Sequence, residues 1–337
     1  MSRCQTVVPV TEASQVGEAR RRAARLADLA GLNDTDRGRV AIVVTELANN
    51  LVRHARGGGE ILLRVLDVDG GGVEVLALDR GPGMADVSAC LRDGFSTGGT
   101  PGTGLGAVRR MSNTFDVHST QPAGTIVLSR VIAQPPAQSP FDWGVVCIPA
   151  PGETECGDTW RVASDGARLS LMVADGLGHG PFAAVAADAA GAAHGADPWA
   201  GPAAVLDSAH HRMHGTRGGA VAVADLDAGS RAARFAGVGN IAGSIVSGAD
   251  SRGLFSHNGT AGVQVRKVQQ FDYPWPPAGM LVLHSDGLQS RWSFDAYPGI
   301  ATRHPALVAG LLYRDFARGR DDLTVAVVRG VPRQSTP

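Results

Sequence analysis

The stretch Ala174-Asp175-Gly176-Leu177-Gly178-His179-Gly180 decides the fold of the C-terminal half of the chain. Two later acidic turns, Ser285-Asp286-Gly287 and Asp321-Asp322, have the same setting. Each turn adjoins a short apolar run, at residues 169–173, 280–283 and 325–328 respectively. This pattern places carboxylates at the ends of separate strands, where they can converge on one point. Because Mg²⁺ and Mn²⁺ prefer oxygen ligands, the pattern predicts a divalent-metal site.

The composition is that of an ordinary globular protein. A length of 337 residues favours two domains, and a net charge of -1 shows no bias toward nucleic acid or anionic lipid. No apolar run approaches the roughly 20 residues that span a bilayer, and the first residues have no signal-peptide pattern. We therefore expect a cytoplasmic protein with neither nucleic acid nor membrane as a partner.

The lysine and cysteine content excludes two kinds of phosphate site and favours reduced thiols. Lys267 is the only lysine, and it lies far along the chain from the N-terminal glycine-rich segment. A P-loop or a eukaryotic-type kinase site needs a lysine on the phosphates, so both are excluded. The cysteines form no C-x-x-C pair and have no zinc-like spacing, which predicts reduced thiols. They are Cys4, Cys90, Cys147 and Cys156.

A proline-rich connector at residues 134–140 divides the chain into domains at 1–133 and 141–332. The first domain reads as α+β, with helices on one face of a mixed sheet. Its predicted helices cover residues 12–30, 36–55 and 104–113, and its predicted strands cover 5–10, 61–68, 73–78 and 125–131. Short strands dominate the second domain, with alanine-rich helices at 181–194 and 201–214.

Three N-terminal motifs suit a nucleotide. Glu46 and Asn50 lie one helical turn apart, so a carboxylate could orient a nucleophile while the amide oxygen binds Mg²⁺. Asp79 ends a strand before a glycine turn and could accept from an adenine amino group. The glycine-rich segment 96–106 opens a helix whose N–H groups could hold phosphate. Taken singly, each motif has a structural alternative: a solvated helical pair, a turn aspartate and a flexible loop.

The order of these motifs resembles the GHKL ATPases, which have a Bergerat α/β sandwich. Glu46-Leu47-Ala48-Asn49-Asn50, His54-Ala55 and the segment 104–111 are similar to the anti-sigma-factor serine kinases of the RsbT type. The resemblance implies that Glu46 is a catalytic base and that ATP binds with Mg²⁺. It also implies cofactor-binding roles for Asn50, Asp79, Gly81, Gly83, Gly102, Gly104, Leu105, Gly106 and Thr125. An ATP site that binds nucleotide without transferring phosphate is the alternative.

The C-terminal half carries four acidic points, at Asp158, Asp175, Asp286 and the pair Asp321-Asp322. Any one alone would be read as a turn residue. Together they could hold two metal ions with a water between them, and such a water can attack phosphorus without a covalent intermediate.

This arrangement resembles the metal-dependent (PPM-type) protein phosphatases of the SpoIIE/RsbX kind, whose fold is a β-sandwich flanked by helices. The resemblance implies two Mn²⁺ or Mg²⁺ ions, with Asp175 as the bridging catalytic residue. Asp158, the Gly176 carbonyl, Asp286 and Asp321 would complete the metal site, with Asp321 preferred over Asp322. Leu177 stands where eukaryotic relatives often carry a histidine, which leaves His179 as either a proton donor or a solvent-facing loop residue.

Together the resemblances imply a signalling protein in a sigma-factor partner-switching cascade. The expected substrate is phosphoserine or phosphothreonine on a STAS-domain antagonist or scaffold protein, and the kinase-like domain would act on the same or a related partner. A sigma factor is a further candidate partner, and the resemblance allows a homodimer. In the alternative, the N-terminal domain is a nucleotide-gated binding or anti-sigma module without kinase activity.

Overall fold

A computed structural model describes residues 4–67, 71–92, 104–134 and 139–331. The chain packs as two compact units. The N-terminal unit comprises residues 5–137 together with 293–314, and the C-terminal unit comprises 1–4, 138–292 and 315–337. The division at residues 134–140 that the sequence predicts does not capture the segment 293–314.

The N-terminal unit is built on a five-stranded sheet with the order β1-β2-β3-β5-β4. All four pairings between these strands are antiparallel, so the expectation of a mixed sheet is wrong. The strands are β1 (Thr6–Val10), β2 (Gly59–Leu66), β3 (Gly72–Asp79), β4 (Thr114–Thr120) and β5 (Gly124–Ile132). The helices are α1 (Ala13–Leu29), α2 (Asp34–His54), α3 (Val87–Cys90) and α4 (Gly104–Met111).

Apolar spacing fixes how the long helices pack on this sheet. In α1, Ala19, Ala23 and Ala27 recur every fourth residue and are fully buried, which gives the helix one narrow core face. The helix α2 begins where the Asn33 side chain accepts from Asp36 N at 2.9 Å. Both helices bury their apolar faces in one core with the sheet.

The segment 293–314 packs in the N-terminal unit although it is remote in sequence. It includes most of α7 (Pro305–Phe316), which follows a short 3₁₀ turn at Ile300–Thr302. A Cβ on Gly310 would lie 3.2 Å from Leu78 Cδ2, so the glycine allows a close approach to β3. Tyr313 donates to Glu60 Oε2 at 2.9 Å, and His304 N donates to Asp116 Oδ2 at 2.7 Å.

The C-terminal unit contains two five-stranded sheets, with the orders β15-β10-β9-β8-β7 and β12-β11-β16-β17-β6. Helices α5 (Pro181–Ala196) and α6 (Pro202–Arg212) share a core with β8, β9 and β10. The strands are β6 (Phe141–Ile148), β7 (Asp158–Ser164), β8 (Arg168–Gly176), β9 (Gly219–Asp227), β10 (Ala232–Val238), β11 (Ala242–Ser247), β12 (Asp250–Gly253), β13 (Gly259–Thr260), β14 (Gln264–Val265), β15 (Phe271–Pro274), β16 (Met280–His284) and β17 (Leu323–Gly330). This is the predicted sandwich with flanking helices.

Hydropathy gives no indication of a bilayer segment in the structure. Among the helices of the described ranges, none combines the length and the apolar character that a membrane crossing requires.

A buried ion cluster joins three strands of the N-terminal sheet. Glu74 accepts from Arg64 Nη2 at 2.7 Å and from Arg130 Nε at 2.9 Å, and the Glu74 side chain is 1% exposed. Burial alone would raise the pKa of Glu74, but the two guanidinium groups outweigh it and hold that pKa below the ordinary value of 4.5. The cluster therefore depends on the ionised carboxylate.

We predict that Glu74→Gln destabilises the N-terminal unit by about 3–5 kcal/mol, because it leaves two buried guanidinium groups without their counter-charge. Hydrogen exchange at amides of β2, β3 and β5 in the full chain measures the loss. Since the folded pKa of Glu74 lies below its unfolded value, the wild-type contribution is present above pH 4.5 and is lost as pH falls through the folded pKa.

Glu18→Gln is the matched control. Glu18 makes ion pairs with Arg21 and Arg22 on an exposed helix face, and removing it is expected to leave protection of the sheet unchanged. Equal losses in the two variants, or a Glu74→Gln protein with wild-type acid sensitivity, would contradict this role for the cluster.

Candidate metal centre and nucleotide site

Two of the predicted ligands lie side by side on neighbouring strands. Asp158, the first residue of β7, is in register with Asp175 near the end of β8. Asp158 is 4% exposed; its Oδ2 accepts from Ser285 Oγ at 2.6 Å, while its buried Oδ1 accepts no hydrogen bond. A buried carboxylate oxygen without a donor is well suited to a cation.

The other predicted carboxylates act on the pKa of Asp175. Burial is the main reason why the pKa of Asp175 rises to about 9, and the charges of Asp158, Asp286, Asp321 and Asp322 raise it further. Burial similarly raises the pKa of Asp158 to about 8, although the hydrogen bond from Ser285 acts to lower that pKa. Bound cations would offset this repulsion, so the donor set fits hard divalent ions.

The third carboxylate, Asp286, is exposed and follows β16. Asn240 Nδ2 donates to Asp286 Oδ2 at 2.8 Å, which orients the carboxylate. Asn240 belongs to a tight turn in which Gly239 has a φ of +92°, and a Cβ there would come within 2.5 Å of Ala220 Cβ. The turn around residues 237–241 thus supplies the partner of a candidate ligand.

The adjacent residues Asp321 and Asp322 have different roles. Asp322 is 3% exposed; its Oδ1 accepts from Ala150 N at 2.8 Å and its Oδ2 from Gly157 N at 2.9 Å. Both oxygens therefore anchor the segment that leads into β7. Asp321 is half-buried and acts more strongly than Asp322 on the pKa of Asp175. This geometry agrees with the preference for Asp321 as the ligand.

Gly176 and His179 flank the centre. A Cβ on Gly176 would lie 2.1 Å from Ala183 O, so only glycine fits where β8 meets α5. His179 is exposed, and its Nδ1 lies 2.6 Å from Glu153 Oε1. The imidazole is thus held in a surface pair with Glu153.

The N-terminal unit brings three predicted nucleotide residues together. Glu46 and Asn50 are half-buried on the same face of α2. A Cβ on Gly104, the first residue of α4, would lie 3.3 Å from Glu46 Oε2 and 3.5 Å from Asn50 Oδ1. The helix start predicted for phosphate therefore adjoins the predicted base and Mg²⁺ ligand.

The predicted adenine residues form a second group at the ends of β3 and β5. Asp79 Oδ1 accepts from Gly81 N at 2.7 Å. Burial raises the pKa of Asp79, against hydrogen bonds from the backbone of Gly81 and of Thr125. Thr125 Oγ1 lies 2.9 Å from Ser119 Oγ, which also accepts from Met84 N. Gly83 has a φ of +71°, as the turn requires.

Two further predicted residues lie in the first turn of α4. Gly106 is buried, and Leu105 is half-buried against the helical core. Gly102 lies outside the described residues.

Sequence reasoning missed the residues that hold the ligands in place. Ser285 precedes Asp286 in the acidic turn, but its hydroxyl donates a hydrogen bond to Asp158. Ser285 and Asp322 lie within the acidic motifs quoted from the sequence, so their position was a signal. Their hydrogen-bond partners are distant in sequence and gave none.

Both halves of the chain have known relatives. The model for the histidine kinase-like ATPase domain matches residues 8–130, and the model for stage II sporulation protein E (SpoIIE) matches residues 165–330. The serine/threonine-protein kinase RsbT of Bacillus subtilis (strain 168) is 31% identical over 121 residues, which are 36% of this chain and 91% of RsbT. The chain belongs to the RsbT-like kinases, and its C-terminal half matches the SpoIIE family. Its N-terminal domain is the RsbT homologue, and its C-terminal domain is a metal-dependent protein serine/threonine phosphatase domain.

Two solved structures have the same fold. A chain from a study of the bacterial stressosome, described as a modular system adapted to control secondary messenger signaling, is 26% identical with a TM-score of 0.52. It covers 56% of this chain and 99% of its own length. The phosphatase domain of SpoIIE from Bacillus subtilis with a fragment of its regulatory domain has a TM-score of 0.51 at 14% identity, and covers 97% of this chain and 100% of its own. That likeness concerns the fold alone.

We predict different effects for the two positioning residues of the SpoIIE-type domain. Asn240→Ala is expected to weaken Mn²⁺ binding roughly 10–100-fold with little change in stability, because it frees the ligand Asp286. Asp322→Asn is expected to cost about 1–3 kcal/mol, because an amide cannot accept from both backbone N–H groups. Calorimetric Mn²⁺ titration and thermal unfolding without metal measure the two effects.

Asn258→Ala is the control for Asn240→Ala, since Asn258 is also exposed in the C-terminal unit. A control that loses Mn²⁺ affinity as strongly as Asn240→Ala would rule out the role given to Asn240.

Proposed function

We propose that this protein removes phosphate from phosphoserine or phosphothreonine on a STAS-domain partner in a sigma-factor partner-switching cascade. The observation that carries the proposal is the pairing of Asp158 with Asp175 on neighbouring strands, where the charges of Asp286 and Asp321 also raise the pKa of Asp175. The kinship with RsbT, and the stressosome study among the structural likenesses, support a STAS-type partner. The proposed location is the cytoplasm, where ATP and such partners occur.

The roles of the phosphatase residues follow from their contacts. Two divalent cations, when bound, supply Lewis acidity toward a water and the phosphoryl oxygens. Asp175 is acted on by the charges of the other carboxylates and is proposed to bridge the cations, with the Gly176 carbonyl as a further ligand. Ser285 fixes one oxygen of Asp158 and leaves the other for a cation, while Asn240 fixes one oxygen of Asp286.

The N-terminal domain is proposed to phosphorylate the same or a related partner with ATP and Mg²⁺. Glu46 would accept the proton from the attacking serine hydroxyl, and the Asn50 amide oxygen would bind Mg²⁺. The Asp79 carboxylate, already buried and fixed by Gly81, would accept from the adenine amino group. The two domains would then add and remove phosphate on the same kind of partner.

The decisive experiment uses the Asp286→Asn variant with γ-labelled ATP, Mg²⁺ and purified STAS-domain proteins. Removing this ligand disables the phosphatase, so label placed by the other domain should persist on a partner. Adding wild-type protein with Mn²⁺ should then release the label as phosphate. Asp250→Asn, which changes an exposed strand residue, is the control and should erase its own label.

Label that wild-type protein and Mn²⁺ fail to remove would contradict the proposed phosphatase substrate. ATP binding without any transfer would leave the N-terminal domain as a nucleotide-gated binding module.

We predict that Glu46→Ala lowers phosphate transfer at least about 100-fold while ATP affinity changes little, because a positioned general base contributes roughly 10²–10⁴-fold. Asn49→Ala, one residue before Asn50 on the same helix, is the control. Nucleotide affinity is measured by calorimetry and transfer by label incorporation. Full transfer by Glu46→Ala would exclude Glu46 as the base.

A further inference from the structure

Three of the four cysteines meet in the C-terminal unit although they are far apart in sequence. Cys147 lies on β6, Cys156 precedes β7, and Cys4 belongs to the same unit. The Cys147 sulfur is 3.0 Å from that of Cys4 and 3.7 Å from that of Cys156. All three sulfur atoms lie within 4.8 Å of one another. Cys147 is fully buried and the other two are half-buried.

The spacing of these sulfurs suits a common metal ligand. With Zn–S bonds of about 2.3 Å, two thiolates on one tetrahedral ion lie about 3.8 Å apart. The pair Cys147 and Cys156 already has this spacing, at 3.7 Å. The pair Cys4 and Cys147 would have to open by less than one ångström, which a side-chain rotation supplies. A disulfide would use only two of the three sulfurs and would leave the third unexplained.

We propose that Cys4, Cys147 and Cys156 form a thiolate site for a soft cation of the Zn²⁺ or Cu⁺ class. Sulfur ligands select such ions, whereas the carboxylate centre selects hard ions, so the two sites do not compete for the same metal. Binding exchanges three S–H protons for three metal–sulfur bonds, with no change in the oxidation state of the protein. Three thiolates complete a trigonal Cu⁺ site or leave one position of a tetrahedral Zn²⁺ site for another donor.

The thiolate site would stabilise the segment that positions the phosphatase ligand Asp158. Cys156 is followed by Gly157, whose N–H donates to Asp322 Oδ2 at 2.9 Å, and then by Asp158. A Cβ on Gly157 would lie 2.6 Å from that carboxylate oxygen and 2.8 Å from Ala183 Cβ, so this segment has little freedom to move. An ion on Cys156 would add a restraint at the start of β7 to the one that Asp322 supplies through Gly157.

The test uses Cd²⁺ as a probe on the full-length chain, reduced, stripped with a chelator and held in excess Mg²⁺. Cadmium bound to thiolates gives an ultraviolet charge-transfer absorption that carboxylate binding does not. The expected result is a band that saturates at one equivalent of Cd²⁺ and is competed by Zn²⁺ but not by Mg²⁺. Bound metal in protein purified without a chelator is measured by elemental analysis.

Single variants identify the ligands. Cys4→Ser and Cys156→Ser change half-buried positions and are each expected to weaken Cd²⁺ binding by about 100-fold or more. Cys90→Ser is the matched control, because Cys90 lies in the N-terminal unit, and it should keep the full band and affinity. Circular dichroism establishes that each variant is folded.

Several results would overturn the site. Wild-type affinity in both Cys4→Ser and Cys156→Ser would do so, as would loss of the band in Cys90→Ser or displacement of Cd²⁺ by Mg²⁺. A chain that shows only two titratable thiols when unfolded without reductant would contain a disulfide, which contradicts a metal site built on three thiolates.

Discussion

The repulsion among carboxylates around Asp175 is the constraint on which the C-terminal unit depends. Burial and neighbouring charges raise the pKa of Asp175 to about 9 and that of Asp158 to about 8. A bound cation would offset this repulsion and favour the charged carboxylates. The buried carboxylate of the other unit presents the opposite case, since two guanidinium groups neutralise Glu74 within the protein. In the N-terminal unit the buried charge is neutralised by arginine side chains. In the C-terminal unit the grouped carboxylates favour binding of a cation.

Hydrogen bonds between strand ends hold the repelling groups in place. The Ser285 hydroxyl donates to Asp158 and accepts from Thr324 N at 2.9 Å, so it ties β7 to β17. Asp322 links the same corner to the backbone of Ala150 and Gly157. Fully buried apolar strands behind these residues give the framework its rigidity. These hydrogen bonds preorganise the candidate ligand positions, as in-line attack requires.

The local sequence pattern predicted much of this architecture. The remainder depends on contacts between residues that are distant in sequence, and it was not predicted. Apolar runs beside Asp175, Asp286 and Asp321 predicted strand ends, and the strands end within three residues of those runs. The strand β4 (Thr114–Thr120) was missed because its polar, half-exposed sequence has no clear alternation. The packing of residues 293–314 with the N-terminal sheet and the meeting of three cysteines depend on contacts between distant residues, which spacing does not encode.

The most direct test of the metal centre is an anomalous-difference map at the manganese edge from crystals grown with Mn²⁺. The account predicts two peaks between Asp175 and its neighbours, coordinated by oxygens of Asp158, Asp175, Asp286 and Asp321. It also predicts that Asp322 keeps its hydrogen bonds to Ala150 and Gly157. Peaks that exclude Asp175, or that recruit Asp322 in place of Asp321, would contradict it.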